Sequence, residues 1–370
     1  MNKKTKIILV GGFLGSGKTT MLRRLAKTFA EKNMTAGLIT NDQAADLVDT
    51  AILTQYGSET REVSGSCFCC NFPGFAGAVE SLYNQGQPDV IICEPVGSCT
   101  DLSATILQPL KDKYNADFSL APLTVLADPQ RLSDILAGGN SGLHESSAYI
   151  VRKQMEEADI IVINKSDLLT KDEAQELKTK AEAAFPKAEV FCASAVTADG
   201  VDSWLDTVMK SENAGTHLTQ VDYDIYAEGE AVLGWLNSAV SIKGETDWKA
   251  AAEDYLKALS SVFAEKNAAI GHLKLMIQGA DKSGFVLANL TGASDPIRVS
   301  QTGSLTAPVS MTINARVQME PEDLKTIVFQ CLDKVTAAHG ITYTADSTEC
   351  LKPGRPNPTY HYDCVVDGCC

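Results

Sequence analysis

The chain has 370 residues, 44% hydrophobic and 21% charged, with a formal net charge of -15. Its length exceeds what one hydrophobic core usually organises, so two domains are expected. The acidic balance excludes a broad nucleic-acid footprint, which needs clustered Lys and Arg.

The apolar run Ile7 to Val10 is too short for a signal sequence and leads directly into a glycine loop. No later stretch approaches the roughly 18 to 20 apolar residues of a membrane span. A cytoplasmic protein with no membrane partner is expected, and its 11 cysteines read as thiols or metal ligands rather than a disulfide framework.

Short β-branched runs then alternate with helical patterns through about the first 210 residues. Strands are predicted at Lys6 to Val10, Ala36 to Thr40, Asp89 to Glu94, Leu123 to Asp128, Asp159 to Asn164 and Ala188 to Cys192. Helices are predicted at Lys18 to Lys32, Phe75 to Asn84, Glu145 to Glu157, Lys171 to Phe185 and Val201 to Lys210, the fourth opening on a capping box of Thr170 and Glu173. Repeated βα units imply an α/β fold with a doubly wound, mostly parallel sheet, so ligands belong at the carboxyl ends of the strands. This first domain is assigned residues 1–212.

After a polar linker the pattern becomes that of a smaller α+β domain over 220–350. It has strands at Tyr223 to Leu233, Gly271 to Ile277, Phe285 to Leu290 and Ser310 to Val317, and helices at Asp247 to Lys266 and Pro321 to Ala338. Residues 351–370 read as an irregular tail containing cysteines. His361, Cys364, Cys369 and Cys370 are spaced for a second soft-metal site or are incidental solvated thiols.

Gly12, four residues, then Gly17, Lys18 and Thr19 match the P-loop, and the match follows an apolar strand and opens a helix. Glycines allow successive backbone N–H groups to face phosphate, and the helix N-terminus adds favourable partial charge. Gly12, Gly15, Ser16, Gly17, Lys18, Thr19 and Thr20 are therefore candidate nucleotide contacts. Lys18 suits the β and γ phosphates and Thr19 suits Mg²⁺. Glu94 ends a predicted strand, where a carboxylate binds Mg²⁺ or its water, and Gly97 can bring an N–H to the γ-phosphate. NKSD at 164 to 167 follows another strand. Asp167 can accept from both guanine N1–H and the exocyclic amine, which adenine cannot offer in that arrangement. Asn164 braces that loop, the stem of Lys165 covers the base, and Ser194 with Ala195 fits a loop closing over it.

Between these motifs lies SGSCFCC, with Cys67, Cys69 and Cys70. Three thiolates supply most of a tetrahedral shell for Zn²⁺ or another transition ion. Packed core thiols are the alternative on spacing alone.

The P-loop, TND at Thr40 to Asp42, C-x-C-C, E-x-x-G at Glu94 to Gly97 and NKSD together resemble the CobW/HypB/UreG family of metallochaperone GTPases, and most of all its CobW branch. The resemblance implies a Mg²⁺-dependent GTPase whose cycle delivers zinc, cobalt or a corrinoid-class cofactor to a client protein. Cys67, Cys69 and Cys70 would bind the metal, Lys18, Asp42 and Glu94 would form the catalytic set, and a GTP-dependent homodimer is implied. The alternative is a GTP-gated chaperone of a corrinoid or other metalloenzyme that carries no metal itself. This sequence departs from the family pattern at Ser66, where Gly is usual, and in PVGSCTDL after Glu94, where the usual run ends in Ala-Asp-Pro.

Overall fold

In the computed structural model, which describes residues 4–41, 59–63, 66–281, 284–292 and 296–366, the first apolar run forms β1 (Thr5–Gly11) inside a parallel sheet. β4 (Val90–Glu94) lies beside β1, followed outward by β2 (Ala36–Asn41) and β3 (Glu59–Val63). On the other side run β6 (Thr124–Ala127), β7 (Ile160–Ile163) and β8 (Glu189–Cys192), while β5 (Phe118–Leu120) pairs with the start of β1. Every one of these pairings is parallel. The sheet therefore presents all its carboxyl ends along one edge, and the chain leaves β1 at the point where the strand order reverses.

Residues of both parities along the strands are buried: Ile8, Val10, Ile92 and Val162 on one face, Ile7, Leu9, Ile91 and Ile161 on the other. That is the mark of a parallel sheet covered on both sides. Helices Lys18–Glu31 and Val201–Lys210 close the first face with Met21, Leu22, Leu25, Phe29, Trp204 and Leu205. The indole N–H of Trp204 donates to Thr124 Oγ1 at 3.1 Å, so this large side chain is buried without an orphaned donor.

Two compact units result, one made of the described residues up to Gly229 together with those from Arg355 onward, the other of Glu230–Gly354. The second unit holds an antiparallel sheet in the order β12 (Arg298–Thr302), β11 (Phe285–Leu290), β10 (Ile270–Gly279), β13 (Val309–Val317), β9 (Gly234–Lys243) and β14 (Thr342–Leu351). Helices Trp248–Glu265 and Pro321–Ala338 bury Tyr255, Leu259, Phe263, Leu324 and Val328 in its core.

One predicted strand is wrong in kind. Tyr223 to Ala231 is a helix, because Asp222 Oδ1 accepts from the N–H groups of Asp224 and Ile225 and caps its first turn. Tyr223 and Tyr226, three apart, pack with tilted rings whose centroids are 5.8 Å apart, as neighbours on one helical face do. Strands β3, β12 and β14 also went unpredicted, being largely polar edge strands with no apolar alternation to announce them, as did the three-residue β5 and the buried β9, which begins just after the run misread as a strand.

Leu25 is fully buried between the first helix and the sheet. Leu25→Ala is expected to destabilise the first unit by about 2–5 kcal/mol through the cavity it leaves. Urea unfolding of the full chain checks this, and a shift within experimental error would contradict the packing described.

Candidate nucleotide and thiol site

Gly12, Gly15 and Gly17 have φ of 127, 80 and 93°, all in the region that favours glycine. A Cβ on Gly12 would stand 2.4 Å from the Leu126 carbonyl oxygen, and one on Gly17 would stand 2.4 Å from Asn164 Nδ2. Neither position can carry a side chain without moving the loop. Helix Lys18–Glu31 begins directly after Gly17, so its first N–H groups open toward the loop. Lys18 is buried, and its ammonium donates to the Gly12 carbonyl at 2.9 Å. Thr19 is buried beside it, Thr20 is half-buried, and the buried Ser16 hydroxyl has no hydrogen-bond partner among the described residues.

The base-side motif is tied to this loop by one side chain. Asn164 Nδ2 donates to the Ser16 carbonyl at 2.8 Å, while its Oδ1 accepts from Ala195 N–H at 3.1 Å. Three segments distant in sequence thereby share one amide. Asp167 is exposed at the sheet edge, its Oδ1 accepting from the Ser194 hydroxyl at 2.6 Å. That hydroxyl accepts in turn from Val196 and Thr197 N–H. Lys165, at φ 58°, puts its ammonium 2.7 Å from Asp128. Burial opposes ionisation of Asp128, but Lys165 and the Arg131 N–H outweigh it and hold its pKa below the ordinary value.

The segment leaving β4 is unusual for a loop, because every residue from Val90 to Leu110 is buried. Its backbone polar groups therefore need partners within the protein. Helix Glu145–Glu157 supplies them from two positions three apart. Gln154 Nε2 donates to both the Gly97 and Cys99 carbonyls at 3.0 and 2.7 Å, and Glu157 accepts from the Thr100 hydroxyl and Ser103 N–H. Asp101 turns the chain at φ 64° and accepts from the Tyr223 hydroxyl, with His361 Nε2 3.0 Å away. A π-helical turn follows at Ser103–Leu107, a form frequent at functional sites.

At the start of this segment Glu94 Oε1 accepts from the Thr19 hydroxyl at 3.1 Å. These two buried oxygen donors suit a hard divalent cation such as Mg²⁺. Gly97 comes so close to the phosphate loop that a Cβ would stand 3.0 Å from Lys18 Nζ and 2.7 Å from a Leu14 methyl.

The thiols sit beside the same segment. Asn41, at the end of β2, fixes the cysteine loop by donating to the Val63 and Ser66 carbonyls and accepting from Phe68 N–H. Cys67 and Cys69 have their sulfurs 3.1 Å apart, and Cys69 and Cys70 are 3.9 Å apart. The sulfurs of Cys67, Cys69 and Cys99 all lie within 4.8 Å of one another, and all three residues are buried. Hydrogen bonds from Cys69, Cys70 and Cys99 push the Cys67 thiol well below its usual range. The same sharing of protons drives Cys69 up and Cys70 up to about 11. Thiols that share protons in this way are a set from which a soft cation displaces protons.

The model of the CobW/HypB/UreG nucleotide-binding domain matches residues 6–192. The chain belongs to that family. Within it, the chain is 32% identical over 182 residues to the zinc chaperone YeiR of Escherichia coli K12, covering 47% of this chain and 50% of that protein. It is 29% identical over 192 residues to the zinc chaperone CobW of a Sinorhizobium species, covering 45% and 52%. The chain thus spans about half the length of the curated relatives it matches. Among solved structures, Zn(II)-bound YjiA GTPase from E. coli is 16% identical with a TM-score of 0.39, covering 90% of this chain and 99% of that one. HypB from Helicobacter pylori in complex with nickel is 18% identical with a TM-score of 0.41, covering 60% and 92%.

Of the residues read from the sequence as candidates in this family member, Asp42 lies outside the described residues, as do Cys369 and Cys370. The others fall along the carboxyl edge of the sheet or in the loops that leave it, with Cys70 half-buried at the rim of the thiol cluster. His361 sits against Asp101 and belongs to no cluster of three possible metal ligands among the described residues, while Cys364 is disulfide-bonded and so is neither a free thiol nor a metal ligand, which corrects the reading of the cysteines as thiols or metal ligands throughout. Sequence reading missed Cys99, Asn41, Gln154 and Glu157. Cys99 stood in the departure PVGSCTDL, and Asn41 immediately precedes the flagged Asp42, but the two helix residues gave no signal.

Burial pushes the Glu157 carboxyl up from 4.5 to about 8, with Asp101 adding to the effect. Between those values the folded chain holds a proton that the unfolded chain releases, so this group lowers stability as pH rises through the window. Glu157→Gln is expected to flatten the loss of stability between pH 6 and 8.5 in urea unfolding. An unchanged pH slope would show that Glu157 is ionised in the folded protein.

Proposed function

We propose that this protein is a Mg²⁺-dependent GTPase that couples GTP binding and hydrolysis to handing a transition-metal ion of the zinc class to a client protein. The observation that carries this reading is the single buried segment Glu94–Cys99, which runs from the magnesium-side carboxylate, past the P-loop lysine, to the thiol cluster. Family membership and zinc-chaperone relatives support it.

The loop N–H groups and the helix N-terminus receive the phosphates, and Lys18 exchanges its bonds to loop carbonyls for phosphate oxygens. Thr19 and Glu94 hold Mg²⁺ through oxygen. When bound, Mg²⁺ neutralises charge on the β and γ phosphate oxygens, which phosphoryl transfer requires more than it requires covalent chemistry. Gly97, whose close approach to Lys18 supports the reading, offers its N–H to the γ-phosphate. At the base end, Asp167 is oriented by Ser194 to accept two hydrogen bonds from guanine, while Asn164 holds base and phosphate loops in register. The thiols of Cys67, Cys69 and Cys70 take the metal cargo, and the second unit, with a core of its own, supplies surface for the client.

Asp167→Ala is expected to weaken GTP binding by at least about a hundredfold while leaving ATP binding unchanged, since it removes acceptors specific to guanine. Calorimetric titration with both nucleotides measures this. Equal losses for both, or wild-type affinity for ATP equal to that for GTP, would overturn the assignment of the base site.

A further inference from the structure

Cys99 belongs to no motif that marks the phosphate, base or thiol sites in the sequence, yet it is one of the three buried sulfurs that meet. It arrives from a different part of the chain than Cys67 and Cys69, brought there because β4 lies next to β2, whose last residue Asn41 holds the cysteine loop. Its placement is not loose. Cys99 N–H donates to the Val96 carbonyl at 2.9 Å and its own carbonyl accepts from Gln154 at 2.7 Å, so the sulfur is held on a turn clamped at both ends. Sulfurs of a tetrahedral site with metal–sulfur bonds of about 2.3 Å stand about 3.8 Å apart. The spacing within 4.8 Å reaches that with movements of side chains alone.

We infer that Cys99 is a metal ligand, completing with Cys67, Cys69 and Cys70 a four-sulfur site within one chain, and that it is the ligand tied to the nucleotide through Gly97. Resting as it does on the proposed reading of the thiols as a metal site, this assignment supplies the ligand that the C-x-C-C motif lacks and leaves Cys70 as the half-buried fourth sulfur. Cys70 is the sulfur most accessible to an acceptor: it lies at the rim, where Asn357 N–H donates to it at 3.2 Å. The coupling follows from the clamp. Gln154 holds the Gly97 and Cys99 carbonyls with one amide nitrogen, so the two residues move as a unit. A γ-phosphate drawing on Gly97 therefore displaces a ligand of a soft cation rather than a remote loop. The ion class is soft or borderline, Zn²⁺, Co²⁺ or Cu⁺, because all the donors are sulfur.

The experiment uses the reduced full-length chain under anaerobic conditions. Zinc-loaded Cys70→Ser is examined by X-ray absorption for the number of sulfur neighbours at about 2.3 Å. Three sulfurs are expected, and two would overturn the assignment of Cys99. In parallel, Co²⁺ titration of Cys99→Ser is expected to lose one ligand's share of the thiolate charge-transfer band and to bind at least about tenfold more weakly than wild type. Cys350→Ser, in the second unit, should match wild type. An unchanged band and affinity in Cys99→Ser would again overturn the proposal, and the count from Cys70→Ser stands even if Cys99→Ser fails to fold. A difference in wild-type Co²⁺ affinity between GDP and a non-hydrolysable GTP analogue should vanish in Cys99→Ser; its persistence would refute the link through Gly97. Absence of a thiolate band in wild type would remove both this site and the metal reading, whereas a four-sulfur site in a chain without GTP hydrolysis would strike the proposed GTPase alone.

Discussion

A loop that is buried along its whole length must find a partner for each backbone polar group inside the protein, and the segment between β4 and the following helix meets that constraint with side chains from elsewhere in the first unit. Gln154, Glu157 and the hydroxyl of Tyr226 come from flanking helices, and Tyr362 N–H donates to the Ala104 carbonyl from the far end of the sequence. The arrangement costs flexibility where loops usually have it. In return, Glu94, Gly97 and Cys99 occupy fixed places with respect to Thr19, Lys18 and Cys67.

The same economy of single side chains recurs around the site. Asn164 joins the P-loop to the 194–196 loop, and Asn41 joins the end of β2 to the cysteine loop, each through one amide used as donor and acceptor. Amides suit this task because they carry both functions in one rigid group and bear no charge to desolvate. A shift at any one loop is therefore felt at its neighbour through a hydrogen bond rather than through solvent. For a protein proposed to convert nucleotide state into metal affinity, such joints are the physical route of coupling.

The carboxyl-terminal residues take part in the same unit. Thr359 N–H donates to the Cys69 carbonyl and its hydroxyl to that of Cys70, Tyr360 packs edge-on to Phe72 at 5.2 Å, and Tyr362 donates to Asp112. Composition alone gave these residues the look of an irregular end, and they do lack helix and strand over 352–365, but the hydrogen bonds of Thr359 are specific and fall on the cysteine loop. Polar side chains and backbone groups can order a segment that has no periodic pattern, which is why periodicity did not reveal it.

What the sequence determined by itself was whatever local chemistry enforces. Glycines at left-handed positions, an apolar strand before them and a helix after them define the P-loop motif, and NKSD after β7 defines the loop proposed to take the base, because backbone conformation and side-chain type at a few adjacent positions suffice. Continuous β-branched runs likewise gave the parallel sheet, while Tyr223 and Tyr226 misled, since a capped helix and a strand use tyrosine equally well. Only the tertiary structure decided that Cys99 meets Cys67 and Cys69, that Gln154 clamps the segment between them and the P-loop, and that Asn41 holds the cysteine loop. Those contacts join loop and helix residues far apart along the chain, and nothing in the local pattern of either partner encodes the pairing of β2 and β4 that brings their loops together.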